Sequence, residues 1–206
     1  MKGKFITFEG SEGSGKSTQI EMARQYLESC GLSVLFLREP GGVKISEKIR
    51  DILLDAANKE MCNECETMLY MAARAQLVEE KIEPALKQGK VVLCDRFLDS
   101  TVVYQGYGHG VGIRFIKKVG AFVTRKIQPD LTFIFDIDAQ EGLSRIQRAK
   151  DRIEQRDLSY HHKVRRGYQA LARKESKRIK LIKVNKSKEE IQKIIQKHLD
   201  QLLGLK

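Results

Sequence analysis

The sequence predicts an α/β fold, a five-stranded parallel sheet with helices on both faces. Three observations lead there. Short apolar runs such as Val91–Asp95 (VVLCD) and Leu131–Asp136 (LTFIFD) are nearly free of polar residues, as strands buried on both faces require. These runs alternate along the chain with stretches of helical periodicity, the pattern of parallel strands joined by crossover helices. The first run also leads straight into a glycine-rich turn and a helix start, FEGSEGSGKSTQ from Phe8 to Gln19.

In chain order, Lys4 to Glu9 reads as the first strand and Ser17 to Cys30 as a helix that Gly31 stops. Ser33 to Leu37 is a short strand, followed by the turn Arg38-Glu39-Pro40-Gly41-Gly42 and a helix from Ile45 to Ala57. Glu66 to Gln88 reads as one long helix, with apolar residues Met68, Leu69, Met71, Ala72, Leu77, Val78, Ile82 and Leu86, ended by Gly89. After the strand Val91–Asp95 come helices at about Ser100 to Tyr107 and Ile113 to Ile127, the strand Leu131–Asp136, and a helix from Gln140 to Ala149. A charged stretch from Lys150 to Asp157 interrupts before a helix runs to about Ser176. The strand Ile179 to Val184 and the helix Lys188 to Leu203 close the chain. In such sheets ligands bind beyond the carboxyl ends of the strands, so the loops after Glu9, Leu37, Asp95 and Asp136 are expected to meet at one site.

The chain has 206 residues, enough for one domain (1–206) with a sizeable core and too few for two ordinary ones. No apolar run is long enough to cross a bilayer, and the opening MKGKFITFEGS carries no export signal. A cytoplasmic enzyme or binding protein is expected, with no membrane partner. Four cysteines fall at Cys30, Cys62, Cys65 and Cys94, and reduced thiols are the default. Cys62-Asn63-Glu64-Cys65 has the CxxC spacing but no second pair at zinc-finger distance, so it reads as a chance pair near a helix start. The 38 basic and 27 acidic residues give a formal charge of +11, which suits a polyanion. No aromatic residue interleaves the basic tail beyond Tyr168, so nucleic acid is not the expected partner.

The opening turn names the polyanion. Gly10-Ser11-Glu12-Gly13-Ser14-Gly15-Lys16-Ser17 matches GxxxxGK[ST] between a strand and a helix, the context that gives the match its meaning. Glycines let successive backbone N–H groups point at one phosphate, and the helix N-terminus adds partial positive charge. Lys16 would reach the β- and γ-phosphates and Ser17 would ligate Mg²⁺, with Thr18 beside it. The ligand expected is a nucleoside triphosphate, ATP, and the fold a P-loop NTPase fold. A GTPase would carry Asn-Lys-x-Asp, but Asn185-Lys186-Ser187-Lys188 has lysine in the last place. A motor ATPase would end a strand in Asp-Glu, where this chain has Asp95-Arg96.

An arginine there suits a second phosphate, gripped with two parallel hydrogen bonds, while Asp95 would hold Mg²⁺ through water. Thr101, Tyr104 and Gln105 share one helical face, as do Tyr70 and Arg74. A ring, a guanidinium, an amide and a hydroxyl suit a flat heterocycle. Together the stretches FEGSEGSGKST, REPGG, EKIRDILL, ETMLYMAARAQ, VVLCDRFLDSTVVYQGYGHG, QPDLTFIFDI and DRIE resemble the bacterial type of thymidylate kinase over nearly the whole chain. REPGG with the DRF–DS–YQG run is the specific part, since the glycine loop is widely shared.

That resemblance implies transfer of the ATP γ-phosphate to dTMP, giving dTDP; another nucleoside monophosphate kinase, for UMP or CMP, is the alternative. It places Arg38, Arg50 and Arg96 around the dTMP phosphate and Pro40 beside them. Tyr70, where the family often has Phe, would stack on thymine. Arg74, Thr101 (commonly Ser) and Gln105 would meet the base edge, Tyr104 would lie against C2′, and Glu12 would face the 3′-hydroxyl and water on magnesium. A phosphate oxygen is already anionic, so no general base is needed. One family branch puts an arginine in the phosphate loop where this chain has Gly13; the other supplies cations from a mobile lid. The lid is expected at about 145–157, with Arg145, Arg148, Lys150, Arg152 and Arg156 as its cations and Arg148 and Arg152 as the catalytic ones. The family is commonly homodimeric, and the apolar face of the 66–88 helix could serve an interface or the core.

Overall fold

The computed structural model describes residues 3–205; Met1, Lys2 and Lys206 of the expected domain lie outside the described residues. Five strands form one wholly parallel sheet in the order β2-β3-β1-β4-β5: β1 (Lys4–Gly10), β2 (Val34–Arg38), β3 (Val91–Asp95), β4 (Leu131–Asp136) and β5 (Ile179–Lys183). The register aligns Phe8 and Arg38 with Asp95, and Gly10 with Phe135, so the carboxyl ends of the strands finish at one level. β1, at the centre, buries Phe5, Ile6, Thr7, Phe8 and Glu9 almost completely. Even its one hydroxyl is used, since Thr7 and Thr132 share a 2.7 Å hydrogen bond between β1 and β4.

Helices cover both faces. On one, α1 (Lys16–Ser29) and α9 (Lys188–Leu203) pack Ile20, Ala23, Leu27, Ile195 and Leu199 onto Ile6, Phe8, Leu93 and Phe133. On the other lie α3 (Asn63–Leu77) and α8 (Leu158–Lys174), with Met71, Val164, Tyr168 and Leu171 inward. Helices α2 (Lys44–Leu54) and α6 (Ile113–Val123) both pack on α3. Ser187 and Glu190 cap α9 reciprocally, each side chain bonding the other's backbone N–H.

Three helices break where periodicity predicts continuity. The expected 66–88 helix is α3, then a wider turn over Val78–Ile82, then α4 (Glu83–Lys87), with Pro84 in the first turn of α4, where its missing N–H costs nothing. The expected helix at 100–107 is a single turn, α5 (Leu98–Thr101), followed by the wide turn Val102–Gly108. Wide turns of this kind gather at functional sites, and this one carries Tyr104 and Gln105. The expected helix 140–149 stops as α7 (Ala139–Ser144), leaving 145–157 without regular helix. Helix α6 ends at Val123 because Arg125 and Lys126 take left-handed backbone (φ 53° and 62°).

Candidate active site

The loop between β1 and α1 is a cradle of main-chain donors. Gly15 precedes the first turn of α1 with φ 78°, and no side chain caps that helix, so its first N–H groups remain directed at the cleft. Ser14 Oγ ties the loop by donating to the Ser11 carbonyl at 2.7 Å. Lys16 is only 8% exposed, and its Nζ donates to the Gly10 and Ser11 carbonyls, both at 3.1 Å. Burial lowers its pKa and Arg96 adds to that, against Glu12 and Asp95. Gly13 (φ 65°) admits no side chain: a Cβ there would overlap the Gly142 carbonyl of α7. The arginine that one family branch carries at this place is therefore excluded by contact as well as by sequence.

Across one cleft of about 450 Å³ stands a second set of groups, made of side chains. Arg96 leaves β3 in left-handed backbone (φ 71°) held by its N–H bond to the Phe8 carbonyl at 2.9 Å. Its guanidinium donates to Glu12 Oε1 at 2.6 Å and to Ser100 Oγ and Tyr168 OH at 3.2 and 3.3 Å, and it lies over the Tyr104 ring. Tyr104 also donates to Glu12 Oε1, at 3.0 Å. Burial alone would push the Glu12 carboxyl up, but Arg96 and Lys16 overrule it and hold it at about 2. Asp95 Oδ1 is buried with no partner, in the same cleft as Lys16 and Ser17. Arg38 reaches both Glu47 oxygens, at 2.9 and 3.1 Å, and Arg50 donates to the Pro40 carbonyl at 2.8 Å; Arg38, Pro40 and Arg50 line the cleft. Deeper in, Arg74 is fully buried against Glu39 (2.7 and 2.8 Å) with its guanidinium over the Phe97 ring. Tyr70, Thr101 and Gln105 line that end, Thr101 Oγ1 buried without a partner.

The stretch 145–157 borders the cleft but divides its arginines. Arg148 lines the cleft and is 64% exposed, forked onto Glu154 by two 2.8 Å bonds. Arg145 donates to the Gly13 carbonyl at 3.2 Å. Arg152 departs from expectation. It is 5% exposed, does not line the cleft, donates Nε to the Leu53 carbonyl at 2.8 Å and sits 2.7 Å from Glu66 Oε2. Its charge is set against a buried carboxylate, outside the lining of the cleft.

Four residues without an assigned role complete the site. Glu9 at the end of β1 is wholly buried and accepts from Phe97 N–H (2.8 Å), Tyr168 OH (3.1 Å) and Ser100 Oγ (2.5 Å). A carboxylate in a strand buried on both faces needs such partners, which is the one signal in the sequence that could have found it. Glu66 is likewise fully buried, behind Gln105. Ser100 was legible as part of the DRF–DS run, but Tyr168 arrives from α8 with no local signal. The CxxC pair caps α3, Cys62 Sγ accepting from Cys65 N–H, and both thiols are free and exposed.

A main-chain phosphate cradle facing guanidinium and aromatic groups that fit a second, flat anionic ligand defines a P-loop nucleoside monophosphate kinase. The family model described as thymidylate kinase matches residues 8–195. A thymidylate kinase of a Thermoanaerobacter species is 50% identical over 183 residues, covering 88% of this chain and 90% of that protein. One from Lactobacillus delbrueckii is 47% identical over 187 residues, covering 88% of each. The solved thymidylate kinase from Ehrlichia chaffeensis superposes with a TM-score of 0.79 at 32% identity, over 97% of this chain and 99% of that one. The chain belongs to the thymidylate kinase family.

Proposed function

We propose that the protein transfers the γ-phosphate of ATP to dTMP, giving dTDP, with the two nucleotides held at opposite ends of one cleft. The observation that carries this reading is the 2.6 Å contact between Glu12 of the phosphate loop and Arg96 of the acceptor side. It brings the donor cradle and the acceptor grip within one side-chain length of each other. The acceptor phosphate is its own nucleophile. Catalysis then reduces to alignment of two anions and neutralisation of their charge. Lys16 and the α1 N-terminus neutralise the donor side; Arg96, Arg50 and Arg38 neutralise the acceptor side. Tyr70 stacks on the base, Arg74, Thr101 and Gln105 meet its edge, and Tyr104 lies against the sugar.

Magnesium fits this cleft. Asp95 has a buried, unpartnered oxygen there, and Ser17 in the first turn of α1 lines the same cleft. Ser17 would bind the ion directly and Asp95 through water, and the ion would supply positive charge to neutralise the donor phosphates. The chain is one domain in which 145–157 is a lid, and Arg148 is its catalytic cation, because it lines the cleft and is exposed enough to turn inward. Lid closure would exclude water as a rival acceptor.

A second copy of the chain covers an apolar surface across α2, α3 and α6, where Ile45, Ile52, Met68, Phe115 and Phe122 stand 47–83% exposed. Repeats of seven place Ile45 with Ile52 and Phe115 with Phe122 on single helix faces, and α3 contacts both of the other helices. Light scattering should give twice the 23.5 kDa chain mass; a monomer refutes the dimer. A cytoplasmic setting agrees with free thiols at Cys30, Cys62 and Cys65. Phosphoryl transfer from Mg-ATP to dTMP, UMP, CMP, AMP and GMP measured side by side tests the main reading. The highest kcat/KM should belong to dTMP, and equal turnover of a non-thymidine acceptor rejects it.

A further inference from the structure

Gln105 could present either end of its amide to a base in the cleft, and the two ends read opposite chemistry. Its Nε2 donates to Glu66 Oε1 at 2.8 Å, inside a pocket where Glu66 is 0% exposed and Gln105 2%. A carboxylate accepts only, so the amide nitrogen is committed to Glu66. Among the described residues no donor reaches Gln105 Oε1, and Gln105 lines the cleft. Glu66 is in turn held as an anion. Arg152 lies 2.7 Å and Arg156 3.5 Å from its Oε2, and His109 Nε2 lies 3.3 Å from its Oε1. Burial raises the Glu66 carboxyl, but its bonds from His109 and Gln105 and the Arg152 charge hold it at about 2.

We propose that Glu66 is the positioning residue that decides which bases this enzyme accepts, by locking Gln105 with its carbonyl toward the base. A carbonyl there accepts from the ring N–H of an imide base such as thymine or uracil and meets only a lone pair on cytosine. The inference rests on the acceptor site proposed above. It adds that the selectivity resides in a side chain that never touches the substrate. It also ties base reading to the 145–157 segment, because Arg152 and Arg156 dock on the same carboxylate.

Glu66→Gln is the test. The two arginines take the new amide's only carbonyl oxygen, so its nitrogen faces Gln105, which must turn over and offer Nε2 to the base. The kcat/KM ratio of dTMP to dCMP should then fall at least about tenfold, since an N–H set against an N–H is worth that much in a dry site. The dTMP to dUMP ratio should stay within about twofold, both bases being imides. Each ratio comes from one protein sample, so loss of folded protein cancels. Glu66→Asp keeps an acceptor-only group and should retain the wild-type ratio. If Glu66→Gln does not fold, Glu66→Ala combined with Arg152→Leu removes the buried pair together and should lower the same ratio. An unchanged dTMP to dCMP ratio in the folded variant overturns the proposal. Gln105→Ala separates the two readings: if it leaves that ratio unchanged, the placement of the base at Gln105 fails; if it lowers the ratio while Glu66→Gln does not, only the role of Glu66 fails.

Discussion

The two halves of the cleft are built from different materials. The donor half is main chain: three left-handed or open glycines, an uncapped helix start and one lysine, all within Gly10–Thr18. The acceptor half is side chain, drawn from β1, β2, β3, α2, α3, the turn after α5 and, through Tyr168, α8. A main-chain site tolerates change in every residue except those whose backbone or charge it uses. A side-chain site depends on a web of partners, each placed by a different part of the fold. Mutations in the two halves should therefore fail in different ways.

The largest effects compare the two grips directly. Lys16→Ala should lower kcat by roughly a thousandfold, about 4 kcal/mol of transition-state stabilisation, while the dissociation constant for dTMP changes little. Arg96→Ala should lower kcat/KM for dTMP by a similar factor but raise the dTMP dissociation constant as well. It also leaves Glu12 buried without its main counter-ion, which costs stability that Lys16→Ala does not. Single-turnover kinetics with equilibrium binding and thermal melts separates these outcomes. If Lys16→Ala weakens dTMP binding as much as Arg96→Ala does, the division between the halves is wrong.

Next comes acid–base behaviour. Glu9 is the carboxylate under the acceptor grip, bonded to the two hydroxyls that also receive Arg96. Burial, then the nearby Asp99 charge, raises it from 4.5 to about 7, against Ser100, Arg96 and Phe97 N–H. The folded state thus holds a proton that the unfolded chain releases near 4.5. Its contribution to stability is full below that value and is lost as pH rises through about 7, roughly 3 kcal/mol in all. Glu12 and Glu66, both held at about 2, have the opposite sign, and their stabilisation is lost only as pH falls below about 4.5. Unfolding free energy should therefore decline between pH 5 and 7, and Glu9→Gln should flatten that limb while leaving the acid limb. A decline that survives Glu9→Gln assigns it to another group.

The same division explains what the sequence made legible. Strand runs buried on both faces carry an undiluted signal, and Val91–Asp95 and Leu131–Asp136 fall where they were predicted. The phosphate loop is readable because its chemistry is consecutive. On the acceptor side, residues within DRF–DS–YQG and REPGG were readable as groups. Their partners were not, because Glu9, Glu66 and Tyr168 come from positions 39 to 159 residues away from what they bond. Periodicity also overran three helix ends. Apolar spacing continues smoothly through Val78–Ile82, where the backbone widens, and through Arg145–Ala149, where it stops being helical.

The smallest effect concerns the lid, where the sequence offered five cations and singled out Arg148 and Arg152 without separating those two. Arg148→Ala should lower kcat about tenfold, near 1.4 kcal/mol, with Tm shifted little, because the guanidinium is 64% exposed and its pair with Glu154 lies at the surface end. Arg152→Ala should show the reverse pattern. Its removal leaves Glu66 buried beside one more distant arginine, so Tm falls, and kcat per folded molecule stays closer to wild type. Active-site titration of each variant converts rates to rates per folded enzyme, and differential scanning fluorimetry gives the stability side. A tenfold loss of kcat in Arg152→Ala at unchanged Tm would mean that this guanidinium leaves Glu66 for the phosphates during turnover. The 2.7 Å contact would then be the resting position of a moving cation rather than a fixed strut.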